Sequence, residues 1–175
     1  TTRLLSIELN VGRTGSLNPY ARLEPVEIGG AMVKLATLHN EELVQAKDLR
    51  IGDMVQVKRA GEVIPQIIAP LPDRRDGSEK RWRMPKKCPS CGTPVERLGD
   101  EVAVYCTNVA CPGRQLEGLV HFASRGAMDI RGLSYARIAQ LVEAELVHDV
   151  ADIFTLSADQ LTQLDRFAEK SAENL

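Results

Sequence analysis

Hydrophobic and polar residues alternate in five segments of the first seventy positions, which is the period of strands with one buried face. The first segment has apolar residues at every second position: Leu5, Ile7, Leu9 and Val11. The other four segments are residues 21–28, 31–38, 53–59 and 62–69. Residues 12–20 are rich in Gly, Asn, Ser and Pro and predict a loop between the first two strands.

Residues 39–53 have a helical pattern between the third and fourth predicted strands. Acidic residues come early in it, Lys47 comes late, and Gly52 is expected to end the helix. Pro65 lies in the fifth predicted strand and implies an edge or a bulge, because proline has no N–H for the ladder. Five strands with a helix after the third match the OB-fold, a barrel that commonly binds oligonucleotides. We assign this fold to residues 1–72.

Residues 73–87 are predicted to connect this barrel to the next module. The stretch 71–87 holds seven Lys and Arg against three acidic residues, with Pro, Gly and Ser between them. One interpretation is a solvated connector with a single buried side chain, Trp82. The other is a basic strap that lies along a phosphate backbone.

All four cysteines lie in one short stretch: Cys88, Cys91, Cys106 and Cys111. Their spacing is C-x2-C, fourteen residues, then C-x4-C, so each pair can supply two thiolates from one turn. Residues 102–105 predict a strand that returns to close the coordination sphere. Four thiolates leave no open position, which predicts one structural Zn²⁺ ion in a finger of residues 88–112. The alternative is two disulfides or four free buried thiols.

Three later segments carry apolar residues at helical spacing: residues 116–130, 138–146 and 161–175. A period of 34 residues relates Ile130 to Leu164, Gly132 to Arg166, Leu133 to Phe167, Ile138 to Ala172 and Leu141 to Leu175. Two tandem helical hairpins are the natural interpretation. The sequence thus predicts an all-α helix-hairpin-helix segment over residues 113–175.

The tips of the two predicted hairpins differ in their glycines. A helix-hairpin-helix tip uses a Gly-apolar-Gly turn to bring backbone N–H groups to a phosphate. The first tip keeps Gly132 but has Ser134 in place of the second glycine. The second tip has Arg166 and Ala168 in place of both. We expect Gly132 to contact DNA, whereas the second hairpin is either structural or DNA-binding.

The net charge of −2 is unevenly distributed. Residues 1–87 carry 15 Lys and Arg against 11 acidic residues, whereas residues 141–175 carry two against eight. This distribution suits a protein that touches phosphate on one side, although two ordinary solvated faces fit the charge equally well. Arg13 and Thr14 lie in a glycine-flanked loop where OB-folds meet nucleic acid, so they are candidate phosphate contacts. The alternative for this pair is a solvated loop.

Arg59, Val63 and Ile64 surround a predicted turn between the fourth and fifth strands. Two adjacent β-branched residues cannot both face one core in a regular strand. Either Pro65 bends the strand, or Val63 and Ile64 point outward as an apolar wedge of the kind that minor-groove binders use.

Several stretches together resemble bacterial NAD-dependent DNA ligases, in the same order along the chain. They are VGRTGSLNPYARLEPVEIGG, ATLHNEE, LRIGDMVQVKRAGEVIPQI, CPSCG with the later CTNVACPG, HFASRGAMDIRGL and AEKSAENL. The resemblance implies a multidomain α+β protein: an OB-fold barrel, a four-Cys zinc finger and the start of a helix-hairpin-helix domain. It also implies that Arg13, Thr14, Arg59, Val63 and Ile64 match OB positions that contact DNA beside a nick.

Such ligases seal nicks in duplex DNA during replication and repair, through enzyme-adenylate and DNA-adenylate intermediates. Their adenylated lysine lies in a K-x-D-G motif, and no lysine here is followed by x-Asp-Gly. We therefore expect a piece that begins after the adenylation domain, holds no catalytic residue and is inactive alone. The missing initiating Met fits this expectation.

The resemblance also implies partners and cofactors. The expected partners are nicked double-stranded DNA and the adenylation domain of the same protein, in the bacterial cytoplasm at the nucleoid. No run of eighteen apolar residues indicates a membrane span. Zinc is expected in this chain, whereas NAD and Mg²⁺ would serve the parent enzyme. The alternative is a stand-alone nucleic-acid-binding protein with an OB barrel and a zinc finger.

Overall fold

The computed structural model describes residues 1–58, 65–99, 101–165 and 167–175. These residues form two compact units. One contains Thr1–Val11 and Ser16–Thr107, and the other contains Gly12–Gly15 and Asn108–Leu175. Among the described residues, no helix has the length and apolar character needed to cross a bilayer.

Five strands of the first unit close into a barrel, and a short helix follows the third. The elements are β1 (Thr2–Val11), β2 (Leu17–Ile28), β3 (Ala31–Thr37), α1 (Glu41–Ala46), β4 (Arg50–Ile51), β5 (Met54–Lys58) and β6 (Gln66–Pro70). The barrel order is β1-β2-β3-β6-β5, and the parallel contact of β3 with β6 completes the closure. The predicted OB layout of five barrel strands and an intervening helix is confirmed.

Alternation along β2 fills the barrel with apolar side chains. Leu17, Pro19, Ala21 and Leu23 are buried, whereas the residues between them are exposed or half-buried. Ala21 and Leu23 pack in a core that β1, β3, α1, β5 and β6 also line, including Leu4, Val33, Val44, Val55 and Ile67. Burial on one face of each strand is what makes the alternating sequence fold as a barrel wall.

The predicted alternation in β1 is wrong at its first residue. Leu4 is fully buried, whereas Leu5 is 46% exposed. The register against β2 shifts between Leu4 and Ser6, because a bulge places one extra residue in β1. The bulge exchanges the two faces of the strand, so the predicted phase is correct only from Ile7 onward.

Three predicted boundaries also differ from the structure. The first loop is shorter than residues 12–20, because β2 already begins at Leu17 and Pro19 pairs with Leu9. Helix α1 ends at Ala46, well before Gly52, which lies in the turn between β4 and β5 with φ +101°. Pro65 precedes β6, and its carbonyl accepts a hydrogen bond from the Thr37 amide (3.1 Å).

The segment after β6 is held against the barrel over much of its length. A 3₁₀ helix spans Pro72–Arg74, and β7 (Lys80–Arg81) pairs with β4. Trp82 is half-buried and packs against the barrel core. The domain limits given above stay predictions, but residues 72–82 are not a free connector.

Arg75 anchors this segment through two carboxylates. Its Nε and Nη2 donate to the two carboxylate oxygens of Asp53 (2.7 and 2.9 Å), and its Nη1 donates to Asp48 (2.7 Å). Asp53 is fully buried and also accepts from the Arg50 amide (2.8 Å). A buried carboxylate is tolerated only with such a complement of donors.

A small hairpin and one glutamate follow in the same unit. Strands β8 (Val95–Arg97) and β9 (Val104–Cys106) pair antiparallel, as the sequence predicted for the returning strand. Glu41, at the start of α1, accepts from Arg97 Nη2 and from the Met84 amide, both at 2.8 Å. One carboxylate therefore fixes both the hairpin and the preceding chain to the barrel.

The second unit is helical. Its elements are α2 (Pro112–Ala123), α3 (Tyr135–Glu143), a 3₁₀ helix (Asp152–Thr155), α4 (Ala158–Thr162) and α5 (Glu169–Glu173). Buried residues spaced by 34 positions fill its core, including Leu133 with Phe167 and Ile138 with Ala172. Positions related by the predicted repeat therefore share one core, while the tandem helix-hairpin-helix arrangement stays a prediction.

Candidate metal centre and nucleic-acid interface

The first cysteine pair lies on a tight turn ahead of β8. The Gly92 amide donates to the Cys88 carbonyl (2.9 Å), and the Cys88 amide donates to the Thr93 carbonyl (2.8 Å). Gly92 has φ +73°, which a residue with a side chain adopts only with strain. The turn thus brings Cys88 and Cys91 to one side of the backbone.

The second pair lies at the ends of two different elements. Cys106 is the last residue of β9, and Cys111 is the N-cap of α2 with Pro112 as the first helical residue. The Gln115 amide donates to the Cys111 carbonyl (3.0 Å), which starts the helix at this ligand position. Pro112 fits here because the first helical N–H has no partner within the helix.

The geometry of the four thiols fits zinc. All four Sγ atoms lie within 4.8 Å of one another. Sulfur atoms in a tetrahedral site with bonds of about 2.3 Å lie about 3.8 Å apart. The Cys91 and Cys106 Sγ atoms are 3.5 Å apart, too far for a disulfide bond of about 2.0 Å.

Burial and charge also favour a cation at this point. Cys88, Cys106 and Cys111 are buried and Cys91 is half-buried. Burial raises the pKa of the Cys88 thiol, so a buried thiolate here requires a cation beside it. Zn²⁺ supplies that charge, and four sulfur ligands leave no position for substrate. The centre is structural.

The structure places Arg13 and Thr14 on an exposed turn between β1 and β2. The turn is closed by the Gly15 amide, which donates to the Gly12 carbonyl (2.8 Å), and Gly15 has φ +92°. In the described part of the chain, no carboxylate forms an ion pair with Arg13. Its guanidinium is thus available to an anion.

Three candidate DNA contacts lie outside the described residues: Arg59, Val63 and Ile64. The wedge hypothesis for Val63 and Ile64 therefore stays a prediction. Arg166, in the second hairpin tip, also lies outside the described residues.

The first hairpin tip has a glycine with positive φ at the first glycine position of the motif. Gly132 is exposed, with φ +96°, and Leu133 beside it is buried. Ser134 caps α3 through its hydroxyl, which accepts from the Arg137 amide (3.4 Å). Arg137 donates to the Gly132 carbonyl (3.1 Å) and stacks over the Phe167 ring (4.5 Å). A cleft of about 250 Å³ lies here, with Arg131 and Ser171 among its lining residues.

Comparison with known families decides what these parts belong to. The family model of the NAD-dependent DNA ligase OB-fold domain matches residues 1–79. The model of the NAD-dependent DNA ligase C4 zinc finger domain matches residues 87–112, the stretch that holds all four cysteines. Two domains of NAD-dependent DNA ligases are thus matched one after the other along this chain.

Curated DNA ligases are similar over almost all of this chain. A DNA ligase of Gemmatimonas aurantiaca is 66% identical over 174 residues, which are 99% of this chain and 25% of the relative. DNA ligases of Pelotomaculum thermopropionicum and Bacillus cytotoxicus are 55% and 52% identical over 174 residues, 26% of each relative. The chain thus spans about a quarter of the length of these relatives.

The sequence analysis missed two residues that position parts of this chain. Glu41 holds the zinc hairpin, and Arg75 holds the chain that leads to it. Arg75 lies 22 positions from Asp53 and Glu41 lies 56 from Arg97, so no local pattern relates these partners. Only the strong acidic bias of the ATLHNEE stretch hinted that a carboxylate would start α1.

A polar cluster on the outer face of the barrel was missed as well. Glu8 accepts from Arg22 Nε (2.8 Å), the Tyr20 hydroxyl (2.7 Å) and the Ser6 hydroxyl (2.9 Å). Hydrogen bonding, with that from Arg22 the largest cause, lowers the pKa of Glu8 to about 2. The strand register pairs Glu8 with Tyr20 and Ser6 with Arg22, so a correct alignment of β1 with β2 would have revealed the cluster.

Proposed function

We propose that the chain is the DNA-gripping part of an NAD-dependent DNA ligase that seals single-strand nicks in duplex DNA. The observation that carries the proposal is that the OB-fold and C4 zinc finger domains of that family occur in one chain. The relatives, similar over 99% of the chain, carry the name DNA ligase. The proposed domains are an OB-fold domain (1–72), a basic linker (73–87), a four-Cys zinc finger (88–112) and a helix-hairpin-helix domain (113–175).

The grip rests on phosphate contacts. Arg13 is exposed and unpaired among the described residues, and Thr14 beside it offers a hydroxyl donor. The tip at Gly132 adds a backbone that an anion can approach closely, because glycine has no side chain. Arg59, Val63 and Ile64 complete the proposed set from the segment outside the described residues. Contacts of this kind bind duplex with little base preference.

In the proposed reaction, the parent enzyme transfers AMP from NAD to a lysine, then to the 5′-phosphate at the nick. The 3′-hydroxyl finally displaces AMP. No K-x-D-G occurs in the 175 residues, so we place the lysine, NAD and Mg²⁺ on another segment. This chain contributes by orienting the two DNA ends for reaction. Such orientation lowers the activation barrier by several kcal/mol. Such an enzyme would work at the bacterial nucleoid.

The test measures binding of the zinc-loaded chain to nicked and intact duplexes of one sequence by fluorescence anisotropy. We expect tighter binding to the nicked duplex, and a steep loss of affinity with salt because counterions are released. Arg13→Ala should flatten the salt slope by roughly one unit. Lys34→Ala removes an exposed charge from β3 and is the matched control. Salt-independent or absent binding would refute the proposed function.

A further inference from the structure

The strongest unassigned feature is a run of cations between β7 and the first cysteine. Residues 80–87, which we call the basic strap, contain five Lys and Arg and no acidic residue: Lys80, Arg81, Arg83, Lys86 and Lys87. All five are exposed. Other arginines of this unit have carboxylate partners, such as Arg22 with Glu8 and Arg97 with Glu41. Within the described chain, none of the strap cations forms an ion pair.

The backbone of the basic strap is fixed at several points. Arg81 in β7 lies opposite Arg50 in the antiparallel pairing of β7 with β4. Trp82 packs against the barrel core, and the Met84 amide donates to Glu41 (2.8 Å). Lys87 forms a bridge with Pro94 at the far end. Charges on a fixed backbone lose less conformational entropy on binding than charges on a flexible tail.

Alternation along the basic strap separates its anchors from its cations. Trp82 and Met84 are half-buried, whereas Arg81 and Arg83 are exposed. Burial thus alternates along residues 81–84, and the exposed Arg81 and Arg83 flank the half-buried Trp82. Residues two apart in a strand are separated by about 6.6 Å. Guanidinium groups are suited to phosphate because their planar donors bind two oxygens at once.

The acidic group that lines the same cleft as Arg81 and Arg83 does not cancel this charge. Asp48 lines a cleft of about 480 Å³ together with Arg81 and Arg83. Its carboxylate already accepts from Arg75 (2.7 Å) and Arg50 (2.9 Å). Arg50 and Arg75 balance the charges of Asp48 and Asp53, so the charges of Arg81 and Arg83 leave the cleft with a positive potential.

We infer that the basic strap binds the phosphate backbone of duplex DNA through Arg81 and Arg83, with Lys86 and Lys87 extending the contact. The inference rests on the proposed function and adds a contact surface to it. The contact is to phosphates and not to base edges. It therefore contributes to affinity and positioning and not to sequence specificity. It lies on the segment that joins the barrel to the zinc finger.

The experiment compares the salt dependence of duplex binding for three forms of the zinc-loaded 175-residue chain. They are the parent, Arg81→Ala/Arg83→Ala, and the control Lys34→Ala/Arg74→Ala, which removes two exposed charges elsewhere in the same unit. Each lost phosphate contact lowers the slope of log K against log salt by about 0.9, so the strap variant should lose about 1.8. The control should keep the parental slope.

A second variant separates charge from folding. Arg81→Lys/Arg83→Lys keeps both charges and should keep most of the slope, while all variants should melt at the parental temperature. An alanine variant with the parental slope and affinity overturns the inference, and so does a control that loses as much slope as the strap variant. A parent that does not bind duplex overturns the proposed function instead. Equal slopes on duplex but a strap-dependent slope on RNA would assign the strap to RNA and overturn the DNA contact.

Discussion

Replacing Asp53 with Asn removes the charge that holds Arg75 and, through it, residues 72–82 on the barrel. Asp53 is fully buried and accepts three hydrogen bonds, two from Arg75 and one from the Arg50 amide. Asn keeps the shape but leaves a guanidinium that is only 14% exposed facing a neutral amide. Removing one partner of a buried ion pair costs roughly 3–5 kcal/mol. Because Asp48 still pairs with Arg75, we expect the lower end, about 3 kcal/mol.

The matched control is Glu8→Gln, in an ion pair of similar length but much greater exposure. Arg22 and Glu8 are 2.8 Å apart with side chains 56% and 35% exposed, so their pair contributes at most about 1 kcal/mol. Urea denaturation at neutral pH gives both free energies of unfolding. Trp82 is the single tryptophan of the chain and packs against the barrel core, so its fluorescence reports on the barrel.

Two outcomes would refute the reasoning about Asp53. One is a loss of stability in Asp53→Asn no larger than in Glu8→Gln. The other is strict additivity with Arg75→Gln, because residues that share hydrogen bonds couple by about 0.5–3 kcal/mol in a double-mutant cycle. We expect the double variant Asp53→Asn/Arg75→Gln to lose clearly less stability than the sum of the single variants.

Further predictions concern the metal, acid stability and activity. Cys106→Ser should abolish stoichiometric zinc in elemental analysis and unfold residues 88–112, whereas a metal-free but folded parent would contradict the zinc centre. The pKa of Glu8 is about 2 against a usual 4.5, so its stabilisation should be present above pH 4.5 and be lost as the pH falls towards 2. Comparing Glu8→Gln with the parent in acid urea melts checks this, and a difference unchanged at pH 2 would be inconsistent with it. Val63→Ala/Ile64→Ala should weaken binding to nicked duplex without a large drop in melting temperature, which a core role would produce. Incubation with NAD labelled in its AMP half should leave this chain unlabelled, and a labelled band would place the catalytic lysine here.

The elements that depend on local pattern were predictable from the sequence. The cysteine spacing predicted the zinc centre, because one tight turn, a short hairpin and the start of a helix bring all four sulfurs together within 24 residues. Alternation predicted the barrel strands, because each strand buries one face. The repeat of 34 residues predicted which positions of the helical unit share a core.

The features that depend on long-range pairing were not predictable. The bulge at Leu5 follows from the register between β1 and β2, and a single strand carries no sign of it. Asp53 begins the predicted strand segment 53–59, and no local pattern showed that Arg75 would pair with it in a buried site. Helix α1 ends at Ala46 because Lys47 forms its C-cap, although the amphipathic pattern continues to Leu49.

The two helical hairpins repeat one backbone hydrogen bond with different residues. The Leu133 amide donates to the Ile130 carbonyl (3.3 Å), and 34 positions later the Phe167 amide donates to Leu164 (3.2 Å). Ser134 caps α3 with its hydroxyl, whereas Ala168 precedes α5 with no side-chain cap. Buried apolar residues therefore specify the turn, and the exposed tip positions are free to change. Mutation can thus change the exposed side chains at a tip while the buried residues keep the fold of the hairpin.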